Sequence, residues 1–346
     1  MQIEIKTIND RWKEYILRNK DGIEIHFLNY GGIITRMYTP DREGRFENIV
    51  LNLKKYDYYK ENPNYLGAII GQVAGRIKDA KFSLKDKTYT LEKNEGENHL
   101  HGGSKGLHQV LWEVKPFKNE NEVGASLFYK SVHNELGYPG AVQFIVTYRL
   151  SNHNEFTIDY LAETDRTTII ALTNHSYFNL TGNIKSTVVN HQLKMNANRF
   201  LELDKGLLPT GKVLPVKDTA FDFRSLTSIQ DRLAIDHSQL QITNEGFDHY
   251  FLFEDGQEGH MTLFDPESGR SLEVRTTHPG VVLYTGNNLD HSVGIEGSNG
   301  KKHLGLCLET QEHAASLQLK QLPSIIVTKD KPYKKQTNFS FKVLNG

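Results

Sequence analysis

The stretch Thr173-Asn174-His175-Ser176-Tyr177-Phe178-Asn179-Leu180 sets one histidine among hydroxyls, amides and two aromatic rings, directly after the apolar run Ile169-Ile170-Ala171-Leu172. An imidazole has an ordinary pKa of about 6.5, so a strand-borne His175 can give or take a proton near neutrality. Aromatic rings beside it suit the C–H face of a bound polyol. Far downstream, Leu304-Gly305-Leu306-Cys307-Leu308-Glu309-Thr310-Gln311 carries a carboxylate on another strand-like run. With an ordinary pKa of about 4.3, Glu309 is expected to be ionised and ready to act as a base. One proton donor and one acceptor on rigid elements are the minimum for opening and closing a hemiacetal ring. Each also has a plainer reading: His175 as a buried histidine bonded to a carbonyl, Glu309 as a solvated carboxylate.

If Leu304–Gln311 is extended, Leu304, Leu306 and Leu308 share one face and look like core. Gly305, Cys307, Glu309 and Gln311 share the other, which then faces solvent or a cleft. In Asn98-His99-Leu100-His101-Gly102-Gly103 the two histidines alternate with a leucine and would share a strand face. Such a pair can bind metal, but Glu95 and Glu97 lie in a glycine-containing turn and supply no clear third ligand. A hydroxyl donor is the better functional reading for His101, with the glycine pair allowing close backbone approach to a ligand. Gly71-Gln72-Val73-Ala74-Gly75-Arg76-Ile77 lacks the lysine of a phosphate loop and the spacing of a dinucleotide fingerprint. Arg76 is either a solvated charge or a planar fork for polyol oxygens. Asp248, between aromatic residues in Phe247-Asp248-His249-Tyr250-Phe251, suits either a turn cap or two sugar hydroxyls.

Elements of period two must position these groups. Val142, Phe144, Val146, Tyr148 and Leu150 alternate with Gln143, Thr147 and Arg149, and Phe156–Leu161 and Met261–Phe264 behave alike. Turns at Asn19–Gly22, Pro40–Gly44 and Asp265–Gly269 punctuate them, which predicts antiparallel sheets packed as a sandwich. Helix signals are confined to Lys54–Glu61 and to a segment starting near Ser225–Asp231, capped by Ser225 or Thr227. No long linker or repeat divides the 346 residues, so residues 1–346 read as one domain. With 41 basic and 42 acidic residues the net charge is −1, which argues against a globally basic nucleic-acid binder. Cys307 is the only cysteine, so no internal disulfide forms and a reducing cytoplasm fits. Met1–Lys6 lacks the apolar core of a secretory signal, and no run is long and apolar enough to span a membrane.

Taken together, these residues resemble the aldose 1-epimerase (galactose mutarotase) family, and the resemblance runs along nearly the whole chain in order. Asn29-Tyr30-Gly31-Gly32, Gly67–Ile77, Asn98–Gly103 and Thr173–Leu180 match successive family motifs. Pro209-Thr210-Gly211, Pro215-Val216, Phe221-Asp222-Phe223-Arg224, Asp248-His249, Tyr284-Thr285-Gly286-Asn287 and Leu308-Glu309-Thr310-Gln311 follow. The resemblance implies a single large antiparallel β-sandwich with an open cleft and few short helices. It implies His175 as general acid, Glu309 as general base, and Arg76, His101, Tyr177 and Asp248 as sugar-binding residues. It implies no metal and no cofactor, since no electrons leave the sugar, and a small aldose as partner rather than nucleic acid or membrane.

Three positions depart from the pattern. Gly75 stands where the family often has asparagine, and Val282 where it often has glutamine. Glu312-His313-Ala314-Ala315-Ser316 replaces a usual Pro-Asp pair, which bears on the preferred sugar. The reaction implied is interconversion of α and β anomers of galactose or glucose. The rivals are a hexose-6-phosphate or disaccharide epimerase, a non-catalytic sugar-binding protein on the same scaffold, and a metal-dependent sugar enzyme using His99 and His101.

Overall fold

Alternation along the chain becomes alternation of burial. In the strand Val142–Ser151 the buried side chains are Val142, Phe144, Val146, Tyr148 and Leu150. This strand pairs antiparallel with Glu122–Lys130 on one side and Glu155–Thr164 on the other, where Phe156, Ile158, Tyr160 and Ala162 enter the same core. The structure, a computed structural model, describes residues 1–254 and 256–344. Among the described residues, antiparallel sheets of five, nine and six strands dominate, and the helices are turns of at most five residues. The nine-stranded sheet takes Tyr333–Val343, near the end of the chain, into its interior between Glu155–Thr164 and Arg270–Thr276. The six-stranded sheet runs in the order Tyr177–Phe178, Leu306–Thr310, Gly280–Tyr284, Asp248–Phe253, Ala197–Leu203, Pro209–Pro215. Phe27 of the first sheet, Tyr148 and Phe339 of the second and Leu306 of the third share one hydrophobic core, as a β-sandwich requires.

The three turns fall where the sequence places them, and side chains hold them. Asn19 Oδ1 accepts from Asp21 N and Ile23 N, and Gly22 takes φ +87°. Asp41 Oδ1 accepts from Glu43 N and Arg45 N. Helix expectations need correction. The Lys54–Glu61 segment forms only a 3-10 turn over Tyr56–Lys60. Thr227–Ser228 is a strand paired with Gln192–Leu193, so the helix starts later, at Ile229–Leu233, with Ser228 rather than Ser225 or Thr227 at its cap. Sheet pairing outcompetes an early helix start that local capping chemistry would permit.

Candidate active site

Strand register puts most of the site on one face of the six-stranded sheet. Across it, Asp248 pairs with Tyr284, Tyr284 with Cys307, and Cys307 with Tyr177. Two residues along each strand, Tyr250 pairs with Val282 and Val282 with Glu309. A period of two therefore brings Asp248, Tyr284, Tyr177, Val282 and Glu309 to the same side. Leu306 and Leu308 point the other way into the main core, as expected, whereas Leu304 packs with Cys307 and Tyr177 in a second cluster. The strand has bent between Leu304 and Leu306, so a single extended face does not hold there.

His175 is not on a strand. It sits in the kink between Thr173–Asn174 and Tyr177–Phe178. Its backbone N donates to Ala68 O and its carbonyl accepts from Gly67 N, each at 2.9 Å. Asn174 ties the kink further: Nδ2 donates to Gly67 O (2.9 Å), and Oδ1 accepts from Ser176 Oγ (2.7 Å). Asn174 thus serves the backbone. Gly67 is required beneath it, since φ is +70° and a Cβ would meet Ile34 O at 2.0 Å. The His175 ring lies against Tyr177, centroids 5.1 Å apart. Its Nδ1 is 3.5 Å from Cys307 Sγ, and its Nε2 is 3.4 Å from Glu309 Oε1.

The opposite wall comes from the paired strands Arg76–Ile77 and His99–Leu100. Arg76 Nε and Nη2 donate to the Glu95 carboxylate at 2.8 and 2.7 Å, which aims the guanidinium. The two histidines of the His-x-His pair separate. His101 has φ +52°, so the strand ends and its ring turns to stand edge-on to His175, centroids 5.5 Å apart. His99 is buried away from the site, Nδ1 donating to Glu92 O and Nε2 accepting from Tyr138 OH, each 2.8 Å. That removes the proposed metal pair. Gly102 serves backbone packing, not a ligand, because a Cβ would meet Gly71 O at 1.8 Å.

All six predicted site residues line one cavity of about 200 Å³, a size suited to one small ring and below the range of drug-sized pockets. Gly75, Val282 and His313, at the three departures, line it too, as do Gln311 and Tyr284, to which the sequence analysis gave no sugar-binding role. Tyr177 offers only its ring, since its hydroxyl already donates to Asn64 O (3.0 Å). Ligand-capable atoms of His101, His175 and Glu309 lie within 4.8 Å of one another, close enough for a metal ion. However, His101 Nδ1 accepts from Gly75 N (3.1 Å), which leaves the ring proton on Nε2 as a donor. That tautomer suits a hydroxyl oxygen better than a cation.

Burial changes the charge states expected from sequence. Desolvation, then the neighbouring Asp248 charge, pushes the Glu309 carboxyl well above its ordinary value against the pull of Arg76. Desolvation also raises Asp248. Desolvation lowers His175 to about 4, and lowers His101 well below the ordinary histidine range, the latter helped by His175 and Arg76. Glu309 is therefore not a freely ionised base in the unliganded cavity. Burial penalises the carboxylate–imidazolium form, while attraction across 3.4 Å favours it. The net effect reverses their order: His175 at about 4 lies below the raised Glu309, so the one proton of the unliganded pair rests on Glu309.

A family model described as aldose 1-epimerase matches residues 13–340. Galactose mutarotase of Mus musculus is 37% identical over 328 residues, covering 93% of this chain and 92% of that protein. Aldose 1-epimerase of Escherichia coli K12 is 32% identical, covering 85% and 84%. The crystal structure of galactose 1-epimerase from Lactobacillus acidophilus NCFM superposes with a TM-score of 0.87 at 28% identity, covering 99% of each chain.

Proposed function

The chain belongs to the aldose 1-epimerase family and is an isomerase of the mutarotase type acting on aldoses, and from that premise we propose that His175 and Glu309 are its acid–base pair. Glu309 takes the proton of the C1 hydroxyl while His175 protonates the ring oxygen. The bond from C1 to the ring oxygen breaks, and an open-chain aldehyde forms. Rotation about C1–C2 presents the other carbonyl face; Glu309 then returns its proton to the carbonyl oxygen while His175 takes one from the C5 hydroxyl, closing the opposite anomer. The pair carries one proton throughout, on His175 before ring opening and on Glu309 in the aldehyde complex. In water that proton would favour imidazole. Burial reverses this preference in the unliganded cavity, so the proton passes from Glu309 to His175 as the sugar binds, before the ring opens.

The observation that carries this reading is a 3.4 Å separation of His175 Nε2 and Glu309 Oε1 inside a cavity of about 200 Å³. Arg76, His101 and Asp248 hold the ring and keep the open chain from leaving, and Tyr177 covers its C–H face. A neutral hexose fits better than a phosphorylated one: among the residues lining the cavity Arg76 is the only lysine or arginine, and Glu95 already binds it. The chain acts as one domain, supported by the late strand Tyr333–Val343 lying inside the largest sheet. No helix of the described residues is long and apolar enough to cross a membrane; cytoplasmic residence is our reading of a lone, buried cysteine. Polarimetry on freshly dissolved α-galactose, α-glucose, xylose, maltose and glucose 6-phosphate tests the reading. Turnover of free hexose is expected to exceed that of the phosphate; the reverse order would transfer the assignment to a sugar-phosphate epimerase, and no turnover to a binding protein.

A further inference from the structure

Two cavity histidines are locked in one tautomer by backbone N–H groups. His101 does so through Gly75 N, and His313 through Ala315 N, which donates to His313 Nδ1 at 3.0 Å. His313 is thereby the N-cap of the 3-10 turn Ala314–Leu317. A ring nitrogen that accepts carries no proton, so the neutral ring presents Nε2–H as a donor. The His313 ring stands edge-on to Tyr250, centroids 5.0 Å apart, and the Tyr250 hydroxyl donates to Gln311 O (3.0 Å). Gln311 and His313 both line the cavity, and the backbone is extended at His313. The Gln311 side chain is buried, and its Oε1 has no partner among the described residues. That oxygen is sealed, so the amide meets the cavity through Nε2, the atom on the Gly75 side. Gly75 keeps this corner open, since a Cβ there would approach only Gln311 Nε2, at 3.8 Å.

We infer that Gln311 and His313 together read one hydroxyl of the bound aldose, the amide Nε2 and the imidazole Nε2–H both donating to its oxygen. The inference rests on the aldose reading above and makes the Glu312–Ser316 departure a specificity device. Two donors beside one oxygen are left unpaired when hydrogen or methyl replaces that oxygen, so they select the hydroxyl over the deoxy sugar.

The test compares the parent, His313→Ala and His313→Ser on one aldose and its 2-, 3-, 4- and 6-deoxy analogues by polarimetry. Serine retains a cap oxygen for Ala315 N–H but lacks the donor into the cavity. The parent should discriminate against one analogue. Both variants should raise KM for the intact aldose about threefold to tenfold with kcat held. Discrimination against that one analogue should shrink by the same factor. Equal losses on every sugar, or parental behaviour of His313→Ser, would show that His313 only caps the turn and would overturn the inference. A parent that turns over no aldose would instead overturn the aldose reading.

Discussion

Two buried glutamates three residues apart along the chain each face a histidine, and the two pairs behave in opposite ways. Glu309 faces His175 at 3.4 Å, and Glu312 faces His278 at 3.5 Å. Both carboxylates are 3% exposed. Yet burial and Asp248 push Glu309 well above its ordinary value, whereas Glu312 is held down to about 2. Desolvation opposes the Glu312 charge, but His278, then Lys335 at 2.8 Å, outweigh it, and Tyr333 OH donates to its second oxygen at 3.0 Å. Around Glu309 the largest effect of a neighbouring charge comes from another carboxylate, Asp248, and the one arginine is shared with Glu95. Residue type, depth and distance are thus nearly equal, and the count of neighbouring cations decides. A carboxylate so partnered is fixed and structural. An unsatisfied pair keeps a proton that can move, which is what acid–base chemistry requires.

The sharpest way to break this contrast is to remove each histidine. His175→Ala should lower kcat by about 10²–10⁴-fold, while His278→Ala should leave kcat near parental and lower the melting temperature. Next, Glu312→Gln should cost about 3 kcal/mol in urea unfolding, because the largely buried Lys335 loses its counter-charge. Stability against pH should then separate the two carboxyls by sign. Glu312 is depressed from 4.5 to about 2, so the unfolded chain binds the extra proton. Its contribution is present above about 4.5 and is lost as pH falls towards 2, by about 3 kcal/mol in all. Glu312→Gln should flatten that acid decline. Glu309 is raised, so its stabilising contribution is present below its unfolded value and is lost as pH rises through its native one. Glu309→Gln should therefore leave neutral-pH stability unchanged or improved. The smallest effect is in the pH profile of kcat/KM. Its acid limb should lie near pH 4, where His175 of the free enzyme gains a second proton for the pair, and not near 6.5. Its alkaline limb should lie above the ordinary carboxyl range.

Local chemistry was readable from sequence, and long-range electrostatics was not. Strand alternation at 142–150 announced both the core face and the antiparallel pairing, because period two is a property of the chain itself. His175, Glu309, Arg76, His101, Tyr177 and Asp248 converge on one cavity, as their motifs led us to expect. The charge of Glu309 could not be read from its own strand, since it depends on Asp248 two strands away in the sheet. His99 looked equivalent to His101 until a positive φ at His101 turned the chain. Glu312 and His313 read as a mere departure from a family pattern. Lys335 makes one of them a structural ion, and Ala315 N makes the other a tautomer-locked donor.

The most direct test of the central claim is the polarimetric turnover of Glu309→Gln on freshly dissolved α-galactose, with folding checked by its melting curve. Our account predicts a folded protein that melts no lower than the parent and has lost at least about 10²-fold in kcat. A folded Glu309→Gln enzyme with near-parental turnover would contradict the proposal that Glu309 and His175 share the proton that opens the ring.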